Sequence, residues 1–227
     1  MKFLVTAGPT REHLDPVRFL SNPSTGKMGF AVARAAAMRG HEVVLVAGPV
    51  SLKTPKGVRR IDVTSAREML AAVEEEMSKA KSGKPTVFVA TAAVADWRPA
   101  KCAARKLKKG QMSDTLKLVR NPDILKEIGR RTSATNSNTQ TLKHSNTYLV
   151  GFAAETNDVI AEARRKCREK NLDMIVANDV TEKGSGFGVD TNRVTFVRKD
   201  GSVDRLPLMT KLAVARRIVR ECEDLCP

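Results

Sequence analysis

Short apolar runs alternate with longer segments of helical period along most of the chain. Lys2–Ala7, Glu42–Ala47, Thr86–Thr91, Tyr148–Phe152 and Asp173–Ala177 have strand length and carry Val, Leu, Ile or Phe. Between them, Gly26–Arg39, Thr64–Ala80 and Asp158–Lys170 repeat apolar residues at helical spacing. A parallel strand pair needs a crossover of helix length, so this alternation predicts an α/β fold, a Rossmann-like three-layer arrangement on a mainly parallel sheet.

Turn residues sharpen the boundaries. Gly40 ends the first helix and Gly48-Pro49 turns the chain after the second strand. The Thr64–Ala80 helix carries Glu68, Glu74, Glu75 and Glu76, read as its outer side. Asn121-Pro122-Asp123 opens a further helix, with Asn as N-cap, Pro at the first helical position and Asp beside the positive end. Arg193–Arg198 and Val203–Leu208 flank Lys199-Asp200-Gly201 as a C-terminal β-hairpin, and a helix from Thr210 to about Glu223 follows. Two stretches break the rhythm. Residues 97–113 are basic and aperiodic and read as a mobile flap; residues 131–147 are rich in Ser, Thr and Asn and read as a surface loop. Without a repeat or linker, residues 1–227 read as one domain.

Composition narrows the class. A chain of 227 residues with 41% hydrophobic content can bury a core. None of its apolar runs reaches the ~20 residues of a membrane span, and Met1–Gly8 reads as a first strand rather than a signal peptide, so a cytoplasmic protein with no membrane partner is expected. Cys102, Cys167, Cys222 and Cys226 match neither a disulfide framework nor a zinc pattern. The net charge of +15 admits nucleic acid or polyanionic small molecules. Aromatic content of 4% leaves few stacking platforms for single strands, although duplex backbones need only Lys and Arg. A non-catalytic nucleic-acid-binding module is therefore the competing reading.

Candidate chemistry sits after the strands, where open parallel sheets bind ligands. The Ser21–Gly29 loop has small residues and glycines at a helix start, where free N–H groups bind phosphate. It is neither a Walker A loop nor a GxGxxG fingerprint, and Ala47-Gly48-Pro49 replaces the acidic residue a nicotinamide enzyme needs after its second strand. Asn22 suits either polarisation of a carbonyl or helix capping. Small residues at Ala90, Thr91, Ala92 and Ala93 leave room for a flat ring; Asp96 beyond them suits a cation, a ligand hydroxyl or an N-cap. Lys106 and its basic neighbours either fold over a triphosphate or form a solvated face. Lys166 and Lys170 share a helix face and either meet phosphates or, for Lys166, pair with Glu162.

Taken together, these stretches resemble phosphopantothenoylcysteine synthetase, the phosphopantothenate–cysteine ligase family. The matching residues are Thr6–Glu12, Leu14–Phe19, Ser21-Asn22, Ser24–Phe30, Gly48–Leu52, Ala92–Asp96, Lys106–Lys109, Asn121–Ile124, Val150–Thr156, Lys170–Asp173 and Ala177–Val180, in the family's order over almost the whole chain. The resemblance implies that the carboxylate of 4′-phosphopantothenate attacks a nucleoside triphosphate, and that the amine of L-cysteine then displaces the nucleotide from the acyl-nucleotidylate. It also implies CTP rather than ATP, Mg²⁺ carried by the nucleotide, no flavin, a homodimer and a separate decarboxylase as a possible partner.

The same resemblance implies roles for individual residues. Asn22 would hold the activated carbonyl and Lys106 the triphosphate. Ala90, Thr91, Ala92, Asp96, Pro122, Asp123, Ile124, Leu125, Phe152, Lys166 and Lys170 would contact the nucleotide. Ser24, Thr25, Gly26 and Lys27 would lie near the phosphate of the acid, with Ala93 and Asp96 also on the acid side. Asp96 is also the carboxylate for a nucleotide-borne Mg²⁺. Arg18 would reach substrate across the dimer interface. Two departures stand out: Ala104-Arg105 precedes Lys106 where the family has Pro-Glu, and residues 130–147 are longer than the family needs.

Overall fold

The computed structural model describes residues 1–79, 84–111, 114–137 and 146–226. In chain order its elements begin with β1 (Lys2–Ala7), the short pair β2 (Arg11–His13) and β3 (Phe19–Ser21), and α1 (Lys27–Met38). Next come β4 (Glu42–Ala47), β5 (Val58–Asp62), α2 (Ala66–Ser78) and β6 (Thr86–Ala90). A second short pair, β7 (Trp97–Pro99) and β8 (Leu118–Arg120), precedes α3 (Ile124–Ser137), β9 (Thr147–Glu155), α4 (Val159–Glu169) and β10 (Met174–Asp179). The chain continues through β11 (Thr191–Asn192), β12 (Thr195–Arg198), β13 (Val203–Arg205), β14 (Met209–Thr210) and α5 (Lys211–Leu225).

Among the described residues, eight strands form one sheet in the order β5-β4-β1-β6-β9-β10-β12-β13. The six from β5 to β10 are parallel, whereas β12 and β13 are antiparallel. β1 is buried at every residue and alternates its side chains between two cores. Phe3, Val5 and Ala7 face α1 and α5, with Val32, Ala36, Val214 and Ile218. Leu4 faces the other layer, where Met69, Val73, Ile128 and Cys167 from α2, α3 and α4 pack. The sequence therefore folds as the three layers its periodicity predicts, with the hairpin turning at Gly201 (φ +88°).

Four details differ from the sequence expectations. β5 was not foreseen, because Arg59, Arg60 and Asp62 interrupt its apolar pattern at the sheet edge. Asp123, not Asn121, caps α3: its Oδ1 accepts from Lys126 N at 3.0 Å. Asn121 instead ties the preceding loops, donating to Ala95 O at 2.8 Å. The expected surface loop at 131–147 begins as helix, since α3 runs to Ser137; residues 138–145 lie outside those described.

Glu76 is the fourth. It lies on the inner side of α2, at 1% exposure, where β1, β5 and the end of α2 itself supply cations. Its carboxylate pairs with Lys2 (3.3 Å), Lys79 (3.1 Å) and Arg59. Burial alone raises its pKa; hydrogen bonds from Lys79, Arg59 and Lys2 outweigh that and hold it below the ordinary carboxylate range. Removing this carboxylate strands the buried Lys2 ammonium, so Glu76→Ala is expected to cost about 3–5 kcal/mol, read from urea unfolding at neutral pH. With a depressed native pKa, the stabilisation is present above the unfolded carboxyl pKa of about 4.3 and is lost as pH falls through the native value. The difference between wild type and Glu76→Ala should therefore shrink on acidification.

Candidate active site

The parallel strands carry the order in which the chain first builds outward from β1 through β4 to β5, then returns to add β6, β9 and β10 on the other side. Crossovers leave β1 and β6 in opposite directions, so a crevice opens beyond their carboxyl ends. Two predicted loops meet there. The loop after β6 runs beside an extension of β1: Ala93 N donates to Gly8 O at 2.9 Å, Ala95 N to Thr10 Oγ1 at 3.0 Å, and Thr91 Oγ1 to Thr6 O at 2.6 Å. The Ser24–Gly29 loop leads into α1 on the same side. Between them lies a cleft open to solvent at its mouth.

The glycines of this loop have distinct physical tasks. Gly26 is the N-cap of α1 with φ +77°, a conformation that side chains rarely adopt, and no side chain caps the helix there. Gly29 lets α1 lie directly on the strand ends: a Cβ would collide with Thr91 Oγ1, lie 2.5 Å from Ala7 Cβ and 3.0 Å from Thr6 O. Its role in this geometry is close helix–sheet packing.

Of the residues singled out in the sequence, Ser24, Thr25, Gly26, Lys27, Thr91, Ala92, Ala93 and Phe152 line this one cleft. Residues assigned to the acid and to the nucleotide thus share a single wall. Asn22 sits beside it at the end of β3. Its Nδ2 donates to Ala93 O (3.1 Å) and Val94 O (3.2 Å), so it pins the loop after β6 and does not cap α1. Ala90 is half-buried at the end of β6, and Asp96 is exposed farther along the loop, where its carbonyl accepts from Asn121 N at 2.8 Å. Among the described residues, no three His, Cys, Asp or Glu side chains gather as a metal cage.

Other predicted residues lie apart. Pro122, Asp123 and Lys170 line a groove between α2, α3 and the end of α4, where Lys170 Nζ pairs with Asp123 at 2.8 Å. Ile124 and Leu125 are core residues. Lys166 pairs with Glu155 at the end of β9, and Glu162 takes Arg165 instead.

The stretch expected to be a mobile flap is anchored at its described residues; residues 112–113 lie outside those described. β7 and β8 pair antiparallel at its base, and Ala103 N reaches Leu14 O at 2.8 Å. Asp15, fully buried, accepts from Val17 N (2.8 Å), Arg18 N (2.9 Å), Arg18 Nε (3.0 Å) and Leu107 N (3.2 Å). Arg18 also donates to Leu107 O at 2.9 Å, within its own chain. Lys106, exposed, is thus next to a residue clamped on both sides by the Asp15–Arg18 turn. Bonding to Arg18 is the largest influence on Asp15 and keeps its carboxyl far below the usual range against the cost of burial.

Several cleft residues escaped the sequence reading as individual site residues, among them Asn178, Gly186, Phe187, Asn192 and Lys211. Lys211 carried a usable signal, because a cation at the first position of a helix opposes the helix dipole.

Comparison with known proteins places this geometry in a family. The model of the DNA/pantothenate metabolism flavoprotein C-terminal domain matches residues 1–225. The chain belongs to this family. It is 47% identical over 220 residues to the coenzyme A biosynthesis bifunctional protein CoaBC of Vibrio cholerae, covering 96% of this chain and 51% of that protein. It is 48% identical over 219 residues to CoaBC of Bacillus subtilis, covering 96% and 50%. The chain thus spans about half the length of the curated relatives it matches. The crystal structure of a CoaBC C-terminal domain superposes with a TM-score of 0.78 at 42% identity, covering 99% of this chain and 94% of that one.

The contact made by Gly29 tests the packing of the cleft. Gly29→Ala should push α1 off the ends of β1 and β6 and destabilise the protein by about 1–3 kcal/mol. The measurement is a denaturant midpoint, and an unchanged midpoint would show that α1 can shift without strain.

Proposed function

We propose that this chain joins 4′-phosphopantothenate to L-cysteine at the cleft beyond β1 and β6, using CTP. The observation that carries the reading is the convergence of the Ser24–Gly29 loop with Thr91–Ala93 at the strand-order reversal, in a member of this family. Its close relatives are named for coenzyme A biosynthesis. The carboxylate of the acid attacks the α-phosphorus of CTP and pyrophosphate departs with the broken P–O bond. The amine of cysteine then attacks the acyl carbon, CMP leaves, and the amine gives up a proton. Mg²⁺ would arrive on the triphosphate, as suits a site with no carboxylate cage among the described residues, with Asp96 the candidate protein ligand.

Asn22 would serve the activated carbonyl by turning one N–H from the Ala93 or Val94 carbonyl toward the acyl oxygen. Lys106, held at the flap's anchored edge, would meet the phosphates that develop charge as pyrophosphate leaves. A homodimer would cover the apolar side chains exposed on the short strand pairs, Phe19, Trp97 and Leu118, with Val17 beside them.

The deciding assay follows CMP and pyrophosphate with CTP or ATP, Mg²⁺, phosphopantothenate and cysteine. Amide formation with preference for CTP is expected; none with either nucleotide would remove the ligase. Asn22→Ala should lower turnover about 10²–10³-fold. Near-wild-type turnover would end its proposed role. Phe19→Asp with Trp97→Asp should convert a dimer to a monomer by light scattering, and an unaltered mass would place the interface elsewhere.

A further inference from the structure

Lys211 begins α5 and is buried to 7% exposure in the wall of the cleft. Its Nζ donates to Gly186 O at 2.9 Å, and among the described residues no carboxylate pairs with it. The neighbouring carboxylate, Asp190, is taken by Lys27 Nζ at 2.7 Å, which also donates to Gly188 O at 2.7 Å. Burial lowers the Lys211 pKa, Lys27 lowers it further, and Asp190 opposes them. The positive ends of α1 and α5 add to the same side, and α1 has no side-chain cap there. Asn178, also nine-tenths buried in the cleft wall, has no side-chain hydrogen bond among the described residues. Two ammoniums, two helix starts and an unspent amide therefore converge where protein anions are scarce. A buried cation without a counter-charge is costly, and an anion seated beside it offsets that cost.

We propose that Lys211, with Lys27 and the Gly26 turn, forms the seat for a phosphoryl group in this cleft. The inference deepens the ligase reading by assigning a phosphate-binding residue, but a phosphoryl seat does not require that reaction. The phosphoryl group belongs either to the nucleotide or to the phosphorylated acid, and the two sources separate by measurement. Titration calorimetry of wild type and Lys211→Met would use CTP, inorganic pyrophosphate, 4′-phosphopantothenate and pantothenate. Loss of one charge-assisted contact is expected to weaken the seated ligand about 10- to 100-fold. Weaker CTP and pyrophosphate binding places the triphosphate there. Weaker phosphopantothenate binding, with pantothenate unaffected, places the acid's phosphate there. Wild-type affinity for all four in a folded variant overturns the proposal.

Removal of an uncompensated buried ammonium should leave the thermal midpoint of Lys211→Met equal to or above wild type without ligand. Should the variant fail to fold, wild-type protein with ¹³C-labelled lysine answers instead. The Lys211 ammonium should titrate at higher pH with the phosphorylated ligands than without, and an unmoved titration with all of them overturns the proposal. Lys211-dependent binding without amide formation by wild type would keep the seat and remove the ligase. Amide formation with unchanged binding by Lys211→Met would do the reverse.

Discussion

The site depends on the double burial of β1. A strand covered on both faces and paired on both edges cannot move, so the helices that cross over from it are fixed at their starts. Because the chain adds β4 on one edge and β6 on the other, the two following loops diverge and leave a crevice between them. The side-chain and backbone bonds from Thr91, Ala93 and Ala95 to Thr6, Gly8 and Thr10 then extend that rigidity past the last residue of the sheet. The cleft is accordingly built on strand ends rather than on a loop free to wander, which suits the sub-ångström positioning that the proposed acyl transfer would require.

The same constraint explains why small residues cluster here. Gly48 passes so close to Pro9 O that a Cβ would collide with it, and Gly29 meets Thr91 and Ala7 in the same way. Three chain segments share a space that side chains would otherwise fill. A glycine-rich loop read only as a phosphate cradle misses this: Gly26 supplies the turn, whereas Gly29 supplies the approach of helix to sheet.

Much of the architecture was legible because burial imposes period. The strands from Lys2, Glu42, Thr86 and Asp173 are nearly continuous apolar runs, as parallel strands covered on both sides must be. Edge and cap positions were less legible, because local pattern competes there with long-range partners. β5 hides behind its arginines, Asn121 bonds to the loop after β6 rather than to its own helix, and Glu76 is buried because Lys2 and Arg59 come to it from distant sequence. The site was legible where it coincides with strand ends, as at Ser24–Lys27 and Thr91–Ala93. The contribution of Gly186 and Phe187 was not, since nothing local in those residues shows that the chain passes the cleft after β10, and the helix-start signal at Lys211 does not by itself say which cleft it faces.

Buried charge separates the structural parts of this molecule from its candidate site. Glu76 and Asp15 are as deeply buried as any apolar residue, yet each is surrounded by donors, and their carboxyls are held ionised. Such groups fix geometry: Glu76 joins α2 to β1 and β5, and Asp15 joins the flap to the turn at Arg18. Lys211 is buried to a similar degree, but its bonding partner is a carbonyl and its ionised form is disfavoured by burial and by Lys27. A fold under selection for stability alone would replace such a lysine with an apolar residue of similar length. Its presence in the cleft wall, where two helix starts add to the same positive field, is the arrangement expected where the missing negative charge is supplied by a ligand.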